Sequence, residues 1–412
     1  MHQLKKMIGV VRKYHVPNIF FASLAIVLSF ALVDRFLYLS PTKVNAGGVP
    51  SGQEVWTWGD NTYGQLGTGS SSSNSDTPVQ ITSLSSNVSF IATAYNTDYA
   101  VKTDGTVYAW GSNSNGELGS GSSDTSVHNT PTQVSGVNNV IAISGSITSP
   151  HVLALESDGS VWTWGKNDTG IGATDSHCSG CNATPFQISG LSDIIAVSAG
   201  YTTDYALKSD GTVYAWGYNN YGEMGNGSSD SNQHTPTQVS GLSNVKEIVA
   251  NYRAVEALRA DGTEYVWGDD TGNQLGGSVT SSTCGTYTCV KTPTQEPGLS
   301  DIVTIGNYYQ TYGGGYVESD ALLVGGNGYW WRAGSTTPGS YTATRAELFG
   351  GYYFWFARQL DGTAIANGNN PDGQLGDGNY TSSPSTPPQV GSLTNVSSMA
   401  AGQNNGIALA TN

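Results

Sequence analysis

One hairpin motif recurs along most of this chain, and it limits what the chain can fold into more than any other feature. Its clearest copy is 205–227, YALKSDGTVYAWGYNNYGEMGNG. An alternating run carrying Tyr205 and Leu207 meets Asp210-Gly211, and a second run alternates Val213 and Ala215 with Tyr214 and Trp216. Asp-Gly suits a two-residue hairpin turn because both central residues of a type I′ turn need a positive φ. Aligned on the Trp of the second strand, the copies fall at Trp58, Trp110, Trp164, Trp216 and Trp267, with spacings of 52, 54, 52 and 51 residues. Two degenerate copies, LLVGGNG and AIANGNN, place Gly325 and Asn367 where Trp is expected. A Gly-rich turn follows the strand at 64–69, 116–121, 222–227 and 373–378, and more loosely at 169–172 and 273–277. A Thr-Pro step comes next (Thr77-Pro78, Thr130-Pro131, Thr184-Pro185, Thr235-Pro236, Thr292-Pro293), and an apolar strand such as 194–199 leads into the next hairpin.

Four short strands per unit cannot bury both of their faces alone, so the units must stack, and radial closure removes the exposed edges. In the last unit Asn412 falls where the other units have the Asp of Asp-Gly, so the missing strand is Val55–Trp58 at the other end. The pattern predicts an all-β fold, a seven-bladed β-propeller of four-stranded blades over 52–412, closed by its N- and C-terminal strands. An open solenoid is the alternative.

Composition agrees with many short strands. Charged residues are 11% and glycines number 54, too few charges and too many turn formers for long amphipathic helices. The first 46 residues carry a net charge of +5, and the remainder −20. A body this acidic repels phosphate, so nucleic acid is not an expected partner.

Residues 1–18 are basic, and Ile19–Val33 is an uncharged apolar run that Phe36–Leu39 can extend. A basic segment followed by an apolar one is the pattern of an export signal or an N-terminal membrane anchor. The 19–39 segment is therefore read as a signal-peptide core or anchor helix, and 40–51 as a linker. Either reading places the body outside the cytoplasm, secreted or anchored, with the membrane touched only through 19–39 if that segment is retained.

The DGxVxxWG and GQLGxG strings, as at 104–121 and 210–227, together with the Thr-Pro step, resemble the regulator of chromosome condensation repeat family. The resemblance covers about 52–412 and implies a seven-bladed propeller. Where that family usually has a His-Thr pair, this chain reads YNTDYA (95–100) and YTTDYA (201–206), and only His151 is similar. The nuclear member's nucleotide exchange and chromatin binding are not carried over to an acidic, exported body. Secreted bacterial members that bind other proteins through loops on one face are the nearer analogy, and fold does not fix function.

No hydrolase elbow, phosphate-binding loop or zinc-protease motif occurs, and Asp104, Asp158, Asp210, Asp261 and Asp361 are explained by turn geometry. No catalytic residue, metal or cofactor is assigned, and the chain is not read as an enzyme. Asp60-Asn61, Asn219-Asn220 and Asp269-Asp270 offer hard oxygen donors suited to calcium, but Asx turns are the simpler reading. Cys178 with Cys181, and Cys284 with Cys289, are expected to form disulfides that pin two loops.

The remaining constellation is aromatic. Tyr95, Tyr201, Tyr252 and Tyr352 each stand nine residues before the Asp of an Asp-Gly, and the sixth unit carries Tyr308-Tyr309 in an enlarged Tyr-rich loop. Equivalent positions in a closed propeller share one rim. Variable loops on a rigid repeat frame suit recognition, and Tyr brings rigid contact area with one hydroxyl. Tyr95, Tyr201, Tyr252, Tyr308, Tyr309 and Tyr352 are therefore the expected partner-binding residues of a non-catalytic recognition module. A protein partner leads and a glycan is the alternative; rings that only wedge between blades are the competing explanation.

Overall fold

The computed structural model describes residues 52–411 except 71–72, 85–86, 168–169, 171–180, 230–231, 273–274, 276–278, 297–299, 311–315, 324–326, 332–338, 343–344 and 383, and within 307–346 the backbone alone. The N-terminal segments 1–18, 19–39 and 40–51 lie outside the described residues. Among the described residues no helix is long and apolar enough to cross a membrane.

The alternating runs form antiparallel sheets in a repeating order. Blade I (88–133), blade II (140–187), blade III (194–238) and blade V (302–342) each have four strands in meander, and blade IV (245–295) has five. The closing blade combines both ends of the chain: Ser75–Gln80, Glu54–Gly59, Asn405–Ala410 and Val396–Ala401, in that spatial order. Six sheets are thus complete blades of an all-β propeller. The expectation of seven four-stranded blades is corrected at residues 345–368, where the sheet has three strands. The fourth position there is reduced to a single bridge, Ile365 to Gln389. Pro384, Pro387 and Pro388 occupy that stretch, and a residue without an N–H cannot donate to a ladder.

The predicted clasp is present. Glu54–Gly59 pairs residue for residue with Asn405–Ala410, from Glu54 opposite Ala410 to Gly59 opposite Asn405. Val55 and Trp58 are fully buried in it.

Two further sequence expectations change. The loop bearing Cys284 and Cys289 is a hairpin, Ser282–Cys284 against Tyr287–Gln295, and supplies the fifth strand of blade IV. The sixth unit also reads differently: its second hairpin strand is Asn327–Trp331, and Gly325 lies outside the described residues. Asp320 pairs with Trp330, as Asp98 pairs with Trp110 and Asp204 with Trp216. Trp330 therefore holds the repeat's Trp position, and the unit is shifted rather than degenerate.

The repeated Trp and the repeated Gly-rich turn turn out to be one device. The indole Nε1–H of Trp110 donates to Gln65 O (2.8 Å), that of Trp164 to Glu117 O (2.7 Å), that of Trp267 to Glu223 O (2.7 Å) and that of Trp58 to Gln374 O (2.9 Å). Each bond joins one blade's second hairpin strand to the preceding unit's turn. In these four units the indole is buried with its polar group satisfied, which is what a core Trp requires, whereas the buried Trp216 Nε1–H has no partner among the described residues.

Candidate functional site

Within each hairpin the strand register fixes which loops share an end. In blade III Thr203 lies opposite Gly217, and Leu207 opposite Val213 next to the Asp210-Gly211 turn. The tyrosine loops and the Gly-rich turns therefore emerge together at the end opposite the Asp-Gly turns.

The glycine after the repeat Trp holds each tyrosine loop in place. Gly217 has φ +112°, and any Cβ there would collide with Thr202 O. That same carbonyl accepts from the Tyr218 N–H at 2.8 Å. Gly268 does the same with Arg253 O, which accepts from Asp269 N–H at 2.9 Å. Neighbouring loops are also tied to one another. Gln403 N–H donates to Tyr95 O (2.9 Å), Tyr95 N–H to Ser146 O (2.9 Å) and Tyr201 N–H to Tyr252 O (3.3 Å). These bonds tie the closing blade's loop to that of blade I, blade I to blade II, and blade III to blade IV.

The expected tyrosines fall into two groups on this ring. Tyr201 of blade III stacks on Tyr252 of blade IV, with centroids 4.4 Å apart and planes inclined by 27°. Tyr352 meets Tyr353 edge-on at 4.2 Å, and the Tyr353 hydroxyl donates to the Tyr352 hydroxyl (3.3 Å). That bond, then burial, then the neighbouring phenols, Tyr95 and Tyr252 among them, push the Tyr352 phenol up to about 12. Tyr95 and Tyr353 hold left-handed backbone, φ 56° and 71°, an uncommon and costly conformation for a bulky residue. Tyr308 and Tyr309 are not in a loop. They extend the inner strand Ile302–Gln310, paired with Glu318 and Val317. Counted along the inner strand, Tyr308 takes the place of Tyr95, because Gly306 pairs with Asp320 as Thr93 pairs with Asp98.

Sequence reading missed the residues that bind the first group together. The Arg253 guanidinium lies over three rings, 4.3 Å from the Tyr221 centroid, 4.7 Å from Tyr252 and 5.6 Å from Tyr201. Tyr221 comes from the Gly-rich turn of blade III and packs on Tyr287 (4.6 Å), which belongs to the extra hairpin and is 44% exposed. Burial raises the Tyr221 and Tyr252 phenols, with Arg253 opposing. Arg253 was legible in one respect: it is the one charged residue in the tetrapeptides that begin at Tyr95, Tyr201, Tyr252 and Tyr352, apart from the repeat Asp.

Below the ring, polar side chains join blades. His151 Nε2 lies 2.9 Å from Asp204 Oδ1, with both side chains sealed from solvent. Asn405 Nδ2 donates to Asp98 Oδ2 at 2.7 Å, linking the closing blade to blade I. Burial pushes Asp98 up to about 8, although the Asn405 bond pulls it back. The oxygens considered for calcium anchor turns instead. Asn61, Asn219 and Asp270 accept through Oδ1 from the N–H of Leu66 (3.2 Å), Met224 (3.0 Å) and Leu275 (3.1 Å). Among the described residues no group of three or more His, Cys, Asp or Glu is arranged to hold a metal ion. Cys284 and Cys289 form a disulfide with Cα atoms 5.9 Å apart. Cys181 is also disulfide-bonded, and Cys178 lies outside the described residues.

The sequence profile of the regulator of chromosome condensation (RCC1) repeat matches residues 53–96, 104–154, 158–207 and 210–251, and a second profile of that repeat matches 194–223. Mouse E3 ubiquitin-protein ligase HERC2 is 31% identical over 261 residues, which is 60% of this chain and 5% of that protein. The ultraviolet-B receptor UVR8 of Arabidopsis thaliana is 30% identical over 236 residues, 55% of this chain and 51% of that protein. The chain therefore spans a small part of the first relative and about half of the second. Among solved structures, human WBSCR16 superposes with a TM-score of 0.72 at 20% identity, over 87% of this chain and 99% of that one. Prp20p from Saccharomyces cerevisiae, described with its binding to Gsp1p and histones, gives 0.72 at 17% identity over 92% and 94%. At these identities the structures show the fold, an all-β propeller, and the profile matches show similarity to the RCC1 repeat within residues 53–251.

Proposed function

We propose that this protein is a non-catalytic recognition module that binds a protein partner through its tyrosine rim. The observation that carries the reading is the Tyr201, Tyr252, Tyr221, Tyr287 and Arg253 cluster, set by four separate segments at one end of the propeller. Tyr and Arg dominate binding hot spots because they bury large rigid area at small entropic cost and keep polar reach. The Asp-Gly turns at the other end are short and alike, and offer little to read. Similar propellers are known to bind proteins, as the description of Prp20p with Gsp1p and histones states of that protein. With a body charge of −20 outside the first 46 residues, nucleic acid is disfavoured.

We place the module outside the cytoplasm, secreted or held by residues 19–39. The support is the basic-then-apolar N-terminus and the Cys284–Cys289 disulfide, a bond that persists in oxidising compartments.

A photo-crosslinking phenylalanine at position 252 of the full chain, compared with one at Ser209 beside the opposite turn, tests the reading. The account expects a discrete polypeptide captured from position 252 and none from 209. Capture from 209 alone, or labelling of glycan rather than polypeptide at 252, overturns it.

A further inference from the structure

Arg253 holds an unusual position for a charged side chain. Its Nε–H is buried and has no hydrogen-bond partner, and among the described residues no carboxylate pairs with it. Among the described residues two arginines away from the rim are paired, Arg259 with Asp261 at 3.4 Å and Arg358 with Glu347 at 3.0 Å. Two acids lie near Arg253 and neither reaches it. Glu223 Oε2 accepts from Tyr221 N–H (2.7 Å), and burial pushes that carboxyl up to about 7 although the Arg253 charge pulls it down. Glu223 Oε1 stays buried without a hydrogen-bond partner and forms no ion pair with the guanidinium. Asp269 Oδ1 accepts from the N–H (2.9 Å) and hydroxyl (2.6 Å) of Thr271. The guanidinium is therefore fixed by three aromatic faces while its Nε–H remains unfilled. Burial of such a donor without a partner is costly, so a site of this kind is poised for an acceptor.

We infer that Arg253, fixed among Tyr201, Tyr221 and Tyr252, receives a single carboxylate side chain, Asp or Glu, of the protein partner. This rests on the rim reading above and names the partner's chemistry. A planar guanidinium presents parallel N–H donors that match a carboxylate in a bidentate pair. The flanking rings lower the local dielectric and strengthen that pair, and they hold the side chain so that little entropy is lost on binding. The charge of the body narrows the ligand further. A surface at −20 overall repels a polyanion, so one acidic side chain within an otherwise neutral segment fits better than an acidic tract.

The test follows the Arg253 Nε–H resonance of the full chain during titration with three probes. They are a capped hexapeptide carrying one Glu beside a Tyr, the same peptide with Gln, and inorganic phosphate. The Glu peptide is expected to shift the resonance, and the Gln peptide to bind at least about tenfold more weakly, the loss of one charge-assisted pair. Arg253→Gln should abolish the preference for Glu, and Arg253→Lys, which keeps the charge without the fork, should lose most of it. Equal binding of the two peptides overturns the inference, as does no shift with the Glu peptide up to about 10 mM. Displacement of the Glu peptide by stoichiometric phosphate also overturns it, since the site is then an indiscriminate anion site. If a polypeptide crosslinked at position 252 is captured equally by Arg253→Gln, this inference fails while the rim reading stands; loss of all capture at 252 in the unmodified chain removes the rim reading itself.

Discussion

Removing Gly52–Gly59 is expected to destroy the cooperative fold of the whole body. That segment is the strand that joins the two ends of the chain, lying between Ser75–Gln80 and Asn405–Ala410. Its loss exposes two sheet edges at once and empties two fully buried positions, Val55 and Trp58. Trp58 packs edge-on against Phe356 of the three-stranded sheet at 5.2 Å and bonds to Gln374 O, so the damage reaches the neighbouring sheet. Emptying a buried Trp alone costs about 3–5 kcal/mol, against the 5–15 kcal/mol total of a typical domain. The truncated chain should show no cooperative melting, and Trp58→Ala a large fall in melting temperature. If the truncated chain melts as the intact one does, closure by the termini is not what holds the propeller together.

The second large effect concerns blade IV. Glu247, Glu256, Glu264 and Glu296 are all 5% exposed or less. The strand registers place them where the sister blades have core residues. Glu264 matches Val107, Val161 and Val213; Glu256 matches Tyr99, Leu153 and Tyr205; Glu247 matches Phe90, Ala142 and Ala196. The Glu296 N–H donates to Glu264 O as Val239 N–H donates to Val213 O. Some of this polarity is satisfied, since Thr304 donates to Glu247 (2.9 Å) and Asn251 to Glu256 (2.8 Å). Burial, then repulsion from Glu256, Glu296 and Glu247, raises Glu264 far above an ordinary carboxyl, and burial pushes Glu296 up to about 7.

Glu264 and Glu296 fold best in the neutral form. Their stabilising contribution is complete below the unfolded carboxyl value, about 4.3, and is lost as pH rises through their raised folded values. Asp98 at about 8 and Glu223 at about 7 act in the same direction. Exposed turn acids such as Asp104 and Asp210, held low by their Thr106 and Thr212 bonds, act in the opposite sense, and their contribution disappears on acidification. Stability is therefore expected to peak at about pH 4–6 and to fall towards pH 8. Glu264→Val, which installs the sister-blade residue, should raise stability at pH 8 by about 1–4 kcal/mol, the range seen when buried charged clusters are replaced by apolar side chains. It should also flatten the fall between pH 5 and 8. A lower melting temperature at pH 8, or an unchanged pH profile, contradicts this account of blade IV.

Much of the fold was legible because its signals are local and repeated. Asp-Gly, alternation and spacing gave the hairpins, and the unmatched Val55–Trp58 run gave the clasp. The shift at Trp330 was not legible, because an insertion displaced the turn and Gly325 sat at the expected spacing. The missing strand after Gly368 depended on prolines whose effect is felt only in a ladder. In the site, Tyr201 and Tyr252 were readable as equivalent positions, but Arg253 meeting Tyr221 was not. Those two come from adjacent units, and the packing of blade III beside blade IV brings them together. The four glutamates of blade IV were hidden for a similar reason, since each looks unremarkable until its register partner is known.

The rim is tested most directly by Tyr201→Ala and Tyr352→Ala, each scored for melting temperature and for binding of the polypeptide captured at position 252. Recognition through the rim predicts a binding loss of about 2 kcal/mol or more for a central anchor, with melting changed little. Intact binding with a clearly lower melting temperature would instead make these tyrosines wedges between blades and contradict the reading.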